Sequence, residues 1–134
     1  MSKSYGNDLW IFESGKKLAQ AVGRIVTDSR PPEEPKDPAG ILLLRFLELF
    51  LPREESAGIA EQVRKGGPGA PGYGHLKRRL VEGMEEHFAP VRARREELLS
   101  DPGEVDRVLS RGAEAARARA AATAGRALLA CGLR

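Results

Sequence analysis

The chain is poor in the residues that staple small folds, hold metals or build sheets. Its 134 residues include one cysteine, Cys131, which excludes an internal disulfide framework and a cysteine-rich zinc or iron–sulfur centre. Its two histidines, His75 and His87, have no cysteine or carboxylate cluster at ligand spacing between them. They read as surface or half-buried helix residues, and no metal site is expected. Strand signals are almost absent. Leu9-Trp10-Ile11-Phe12 is the only candidate, and it is too short to organise a sheet. No stretch approaches the roughly 18 consecutive apolar residues of a membrane span. The best run, Ile41–Leu51, carries Arg45 and Glu48. The opening residues lack the apolar core of a signal peptide, so a cytoplasmic protein without a membrane association is expected.

What is present is a soluble, helix-forming composition, with 41% apolar and 31% charged residues. The length suits one ordinary domain, on a prior of roughly 100–200 residues per domain. Net charge is +3, and its placement is uneven. The first 74 residues balance 10 basic side chains against 10 acidic ones. From Arg107 to Arg134 six arginines face Glu114 alone. Such a segment can attract a polyanion such as RNA, although arginine is abundant throughout this alanine-, glycine- and proline-rich chain.

Hydrophobic periodicity predicts about five helices and an all-α fold. Ser14 is a plausible N-cap, and Leu18, Val22, Ile25 and Val26 give the first helix one apolar face, ending near Thr27-Asp28-Ser29. Three prolines in Pro31–Pro35 then impose an extended connection. Asp37-Pro38 reads as a cap with proline in the first turn. The helix over about 38–51 is apolar on nearly every side and is expected to form the buried centre. Each of its large side chains contributes roughly 1.5–3 kcal/mol on burial, before ordering entropy is subtracted. Pro52 stops it, and a short helix over 53–65 follows. Residues 66–74 hold five glycines and two prolines, a loop that lacks the ending of a phosphate-binding loop. A fourth helix starts near His75 and is expected to kink or break at Pro90. A fifth restarts at Ser100-Asp101-Pro102. Its stripe of Val105, Leu109, Gly112, Ala116, Ala120, Thr123, Ala127 and Ala130 is mostly small. Such a stripe permits close approach but buries little by itself, so this helix is expected to need a partner surface.

No catalytic constellation is complete within these residues. The opening segment nonetheless stands out. Met1-Ser2-Lys3-Ser4, continued by Tyr5-Gly6-Asn7, resembles the KMSKS signature of class I aminoacyl-tRNA synthetases. Further along come Ile25-Val-Thr-Asp-Ser29, the proline-rich Pro31–Pro38, a leucine-rich helix, Tyr73-Gly74 leading into Leu76-Lys77, Phe88–Glu97 and Val108–Arg117. This ordered series resembles the C-terminal part of the bacterial tryptophanyl-tRNA synthetases over essentially the whole chain. Thr27-Asp28-Ser29 and Arg111-Gly112-Ala113-Glu114 favour the tryptophan family over the tyrosine one.

The resemblance implies that residues 1–13 are the KMSKS loop at the tail of a catalytic domain. Residues 14–134 would be a helical anticodon-binding region whose last helix packs on that domain. Met1, Ser2, Lys3 and Ser4 would face ATP, used with magnesium. Lys3 would be the catalytic residue, its ammonium meeting phosphate charge as pyrophosphate departs. The partner would be tRNA(Trp), with Lys16, Lys17, Arg24, Arg111 and Arg119 as candidate backbone contacts, and the enzyme would be a homodimer. The sequence departs from the family in three ways. The lysine that opens the signature is not present, the upstream α/β Rossmann domain is not present, and Gly15 stands where proline is common. The 134 residues alone are therefore expected to be inactive in tryptophan activation and to hold no cofactor tightly. The alternative is a free-standing helical tRNA-binding or regulatory module without catalysis.

Overall fold

The computed structural model describes residues 5, 6 and 8–133. Among them it is all helical: α1 Gly15–Gly23, a 3-10 turn Pro38–Gly40, α2 Leu42–Phe50, α3 Arg53–Lys65, α4 Tyr73–Ser100 and α5 Pro102–Ala130. Leu9–Phe12 contains a turn and no strand. The chain divides into two compact units after Pro90.

The first unit carries the core. Leu18 and Val22 of α1 meet Leu43, Leu44 and Leu47 of α2, Val63 of α3, and Leu76, Leu80 and Met84 of α4. Ile41 and Leu51, which flank α2, complete it. All are less than 8% exposed. The leucine-rich segment is thus the centre, but not on every side, because Leu42 and Leu49 face outward at 54% and 68% exposure. A helix of nine residues has only one side against so few neighbours.

Three boundaries differ from expectation. α1 ends at Gly23, four residues early. Gly23 is a weak helix former and Ile25, Val26 and Thr27 are β-branched, so the chain closes with Arg24 and Ile25 donating to the Ala21 and Val22 carbonyls. Asp37 does cap, accepting from the Ala39 N–H at 3.0 Å. It caps the 3-10 turn, and extended Ile41 separates that turn from α2. α4 begins at Tyr73 and continues through Pro90. Pro90 and Glu86 are both exposed, so water can serve the carbonyl that proline leaves without a donor. By contrast α3 runs as expected, bounded by Pro52 and by Gly66, whose φ of 63° suits glycine.

α4 approaches the end of α2 so closely that a side chain at Gly83 would force Leu51 to shift. A Cβ on Gly83 would lie 2.8 Å from Leu51 Cδ2 and 3.3 Å from the Phe50 carbonyl. Gly83→Ala is therefore expected to cost about 1–3 kcal/mol, read as a lower melting temperature by far-ultraviolet circular dichroism. An unchanged melting temperature would mean that Leu51 yields freely.

The second unit is the remainder of α4 with α5. None of the 29 residues of α5 is buried. Its N-terminal end is dressed by ion pairs of Arg107 with Asp101 and Glu104 at 3.1 and 3.0 Å.

Candidate nucleic-acid interface

The residues that the signature assigns to ATP, Met1, Ser2, Lys3 and Ser4, lie outside the described residues, as does Asn7. The structure begins its account just after them, at the segment leading into α1.

α1 is held at both ends by α4. At its N-terminus the Gly15 N–H donates to Glu85 Oε1 at 2.6 Å. At its C-terminus Lys77 Nζ donates to the Gly23 carbonyl at 2.8 Å. A carboxylate at the positive end of a helix and an ammonium at the negative end both complement the helix dipole. Gly15 adopts φ +56°, which proline, fixed near −65°, cannot; proline would also lack the N–H that Glu85 accepts.

This clamp leaves a cationic outer face. Lys16, Lys17 and Arg24 are all exposed, on the side of α1 away from buried Leu18 and Val22. Lys17 and Arg24 line an open cleft of about 320 Å³ with Asp8, Trp10 and Glu13. On α5, Arg111 and Arg119 are exposed. The candidates of α1 belong to the first unit and those of α5 to the second. Lys16 and Lys17 share α1 with Arg24 at its C-cap, and Arg111 and Arg119 share α5.

A second cluster joins two distant stretches of the sequence. The Tyr73 hydroxyl, at the start of α4, donates to Asp28 Oδ1 at 2.8 Å. Arg30 Nε donates to Asp28 Oδ2 at 2.8 Å. These bonds hold the Asp28 carboxyl below the usual range, first through Tyr73 and then through Arg30. Burial, with the anionic Asp28 as the second cause, pushes the Tyr73 phenol up to about 12. Beside them the buried Lys36 donates to the Pro31 carbonyl at 2.5 Å and the Glu34 carbonyl at 3.3 Å. Lys36 N–H also bonds the Val63 carbonyl, and Gly67 N–H the Glu33 carbonyl, which laces the proline-rich connector to the end of α3. The sequence reading missed Lys36, because a lysine in a polar, proline-rich run reads as solvated. Proline at 31, 32 and 35 is the signal that was there: carbonyls without matching N–H groups want an outside donor.

Among the described residues no group of three or more His, Cys, Asp or Glu could hold a metal ion. No described helix is long and apolar enough to cross a membrane. His75 and His87 are exposed, and the His87 ring stands edge-on to Phe50 and Phe88.

No protein-family model matches the chain, but individual proteins match most or all of its length. It is 47% identical over 134 residues to the tryptophan–tRNA ligase of Rhodopirellula baltica, covering 100% of this chain and 41% of that one. It is 42% identical over 118 residues to the ligase of Bordetella parapertussis, covering 87% of this chain and 25% of that one. The crystal structure of tryptophanyl-tRNA synthetase from Campylobacter jejuni superposes with a TM-score of 0.86 at 34% identity, covering 98% of this chain and 42% of that chain. The chain is homologous to the C-terminal region of the tryptophan–tRNA ligases. These relatives are aminoacyl-tRNA synthetases, and the chain spans well under half the length of each. A second Campylobacter jejuni structure, complexed with ADP and tryptophan, superposes with a TM-score of 0.84, which fits nucleotide use in the family.

Two measurements test this geometry. Lys77→Met and Glu85→Gln should each cost about 0.5–2 kcal/mol in urea unfolding; wild-type stability in both would mean that the clamp adds nothing to α1. Tyr73 holds its proton more tightly folded than unfolded. Its contribution is therefore intact below pH 10.0 and is lost as pH rises toward about 12. Melting temperature should fall across that window, and Tyr73→Phe should flatten the fall.

Proposed function

We propose that this chain serves as the C-terminal part of a tryptophan–tRNA ligase, which activates tryptophan with ATP and magnesium and transfers it to tRNA(Trp). The observation that carries this is the likeness over the entire chain, in sequence and in fold together. In that role residues 1–13 form the end of the catalytic domain, with Met1, Ser2, Lys3 and Ser4 facing ATP. Lys3 is the catalytic residue, placing its charge on the phosphates as pyrophosphate leaves. Residues 14–134 form the anticodon-binding region. Lys16 and Lys17 on α1, Arg24 at its C-cap, and Arg111 and Arg119 on α5 contact the tRNA backbone. The small-residue stripe of α5 packs on the catalytic domain. The working enzyme is a cytoplasmic homodimer.

The α1 cations suit this role because they follow directly on the signature loop. The 134 residues by themselves are expected to support no tryptophan-dependent pyrophosphate exchange, since adenylate formation needs the Rossmann domain. Measurable exchange by the purified chain would contradict that.

tRNA binding is the direct test. Filter binding of tRNA(Trp) across a salt series should show a steep loss of affinity with salt. Replacing the five cations with glutamine should reduce the slope of log K against log salt by roughly 3.5–4.5, if all five touch phosphates. Salt-independent or undetectable binding by the unaltered chain would overturn the tRNA role.

A further inference from the structure

Lys36 is buried at 6% exposure, and no carboxylate pairs with it among the described residues. The two carboxylates of this corner, Asp28 and Glu34, are turned to Arg30 at 2.7 and 3.8 Å. Buried lysines are normally paired, because taking an ammonium out of water is costly. This one has two backbone carbonyls and the Tyr73 ring, whose centroid lies 5.6 Å away. Its charge thus lacks a counter-charge. An ammonium also carries three donors, so one is left over.

Lys36 also lines a cavity of about 70 Å³, together with Arg30, Pro32, Pro71, Gly72 and Tyr73. At about 10–15 Å³ per water that is room for roughly five waters, enough for one small ion with part of its shell. The cavity lies at the positive end of α4, a helix of 28 residues. There the His75 and Leu76 N–H groups donate to the Gly72 carbonyl, and those of Tyr73 and Gly74 find no backbone acceptor among the described residues. A spare ammonium donor and a helix N-terminus both favour negative charge. The proline rings set the kind of anion. Such walls would strip the oxygens of a phosphate of water and return too few donors. A halide is spherical, sheds its water more readily and tolerates C–H neighbours.

We propose that this cavity binds one monovalent halide, chloride being the common one, held by the spare donor of Lys36 at the start of α4. The ion supplies the counter-charge that Lys36 lacks. It thereby ties the proline-rich connector to the entry of α4 and stabilises the first unit. The site is independent of the tRNA-binding reading, and the failure of either leaves the other standing. Gly72 offers a handle on the cavity wall. A Cβ there would stand 3.3 Å from Pro32 Cγ, so a methyl narrows the space without touching a charge.

The experiment follows thermal unfolding of the chain while sodium chloride replaces sodium gluconate at constant ionic strength. Gluconate is too large for the cavity. Each tenfold rise in chloride beyond the dissociation constant is expected to raise the melting temperature by roughly 3–6 °C. The chloride-35 resonance should broaden when the folded chain is added, and bromide should reverse the broadening by competition. Lys36→Met should abolish both effects. If Lys36→Met fails to melt cooperatively, Gly72→Ala carries the comparison and should remove most of the rise. A melting temperature that does not move with chloride overturns the site, as does a chloride-35 line that the chain leaves sharp. A rise undiminished in Gly72→Ala also overturns it, since the ion then acts elsewhere.

Discussion

The fixing of α1 by α4 is the constraint from which the rest of the first unit follows. A nine-residue helix is marginal in water, since isolated helices below roughly 12–15 residues rarely hold. α1 persists because Leu18 and Val22 reach the core and because α4 supplies a charge of the right sign at each end. With its inner face and both ends taken, α1 has only its outer face left, and there Lys16, Lys17 and Arg24 lie. The same α4 presses Gly83 against Leu51 and grips α3 through the paired bonds of Arg79 to Glu55 at 2.5 and 2.9 Å. One helix therefore organises the other three, and it does so with its first four turns.

The proline-rich connector is ordered by a different economy. Three prolines remove donors from a stretch that must still satisfy its carbonyls. Lys36 answers two of them with its side chain. The end of α3 answers the Glu33 carbonyl through Gly67, and its own Val63 carbonyl receives the Lys36 N–H. Gly66 makes this possible, since a Cβ there would lie 2.5 Å from the Glu33 carbonyl oxygen. Asp28 then ties the exit of α1 to the entry of α4 through Tyr73. Thr27-Asp28-Ser29 and Tyr73-Gly74, separate marks of family likeness in the sequence, thereby meet in one hydrogen bond across 45 residues.

Much of this was legible in the sequence where local chemistry decides. α3 sits between Pro52 and Gly66 as read, because proline and glycine act within a residue or two. The buried set of α4 follows its period of three and four. Legibility failed where the deciding partner is remote or is water. Pro90 should have broken α4, but it stands on an exposed side where solvent replaces the lost bond. Leu42 and Leu49 read as core, and only the placement of α1, α3 and α4 shows which side of α2 is left open. Lys36 looked like any surface lysine until the fold wrapped carbonyls around it. The positive φ of Gly15 could not be inferred either. It depends on Glu85, 70 residues away.

α5 separates two things that usually come together, the formation of a helix and the burial of one of its faces. Its second half is built from alanine and arginine, both strong helix formers, so it needs no partner to be helical. Its arginines also change character along the chain. Arg107, near its start, is neutralised by nearby Asp101 and Glu104. Arg111, Arg119 and Arg126 make no ion pair among the described residues. At about 100° per residue these three fall within an arc of roughly 80°, and Gly112, Ala116 and Thr123 lie beside it. A helix formed in advance presents both surfaces without an ordering cost at the moment of contact. The small-residue stripe gains little energy per residue on docking, since an alanine buries little area. Close approach of a whole helix must make up the difference. The arginine arc is the part of α5 whose charge no carboxylate among the described residues offsets.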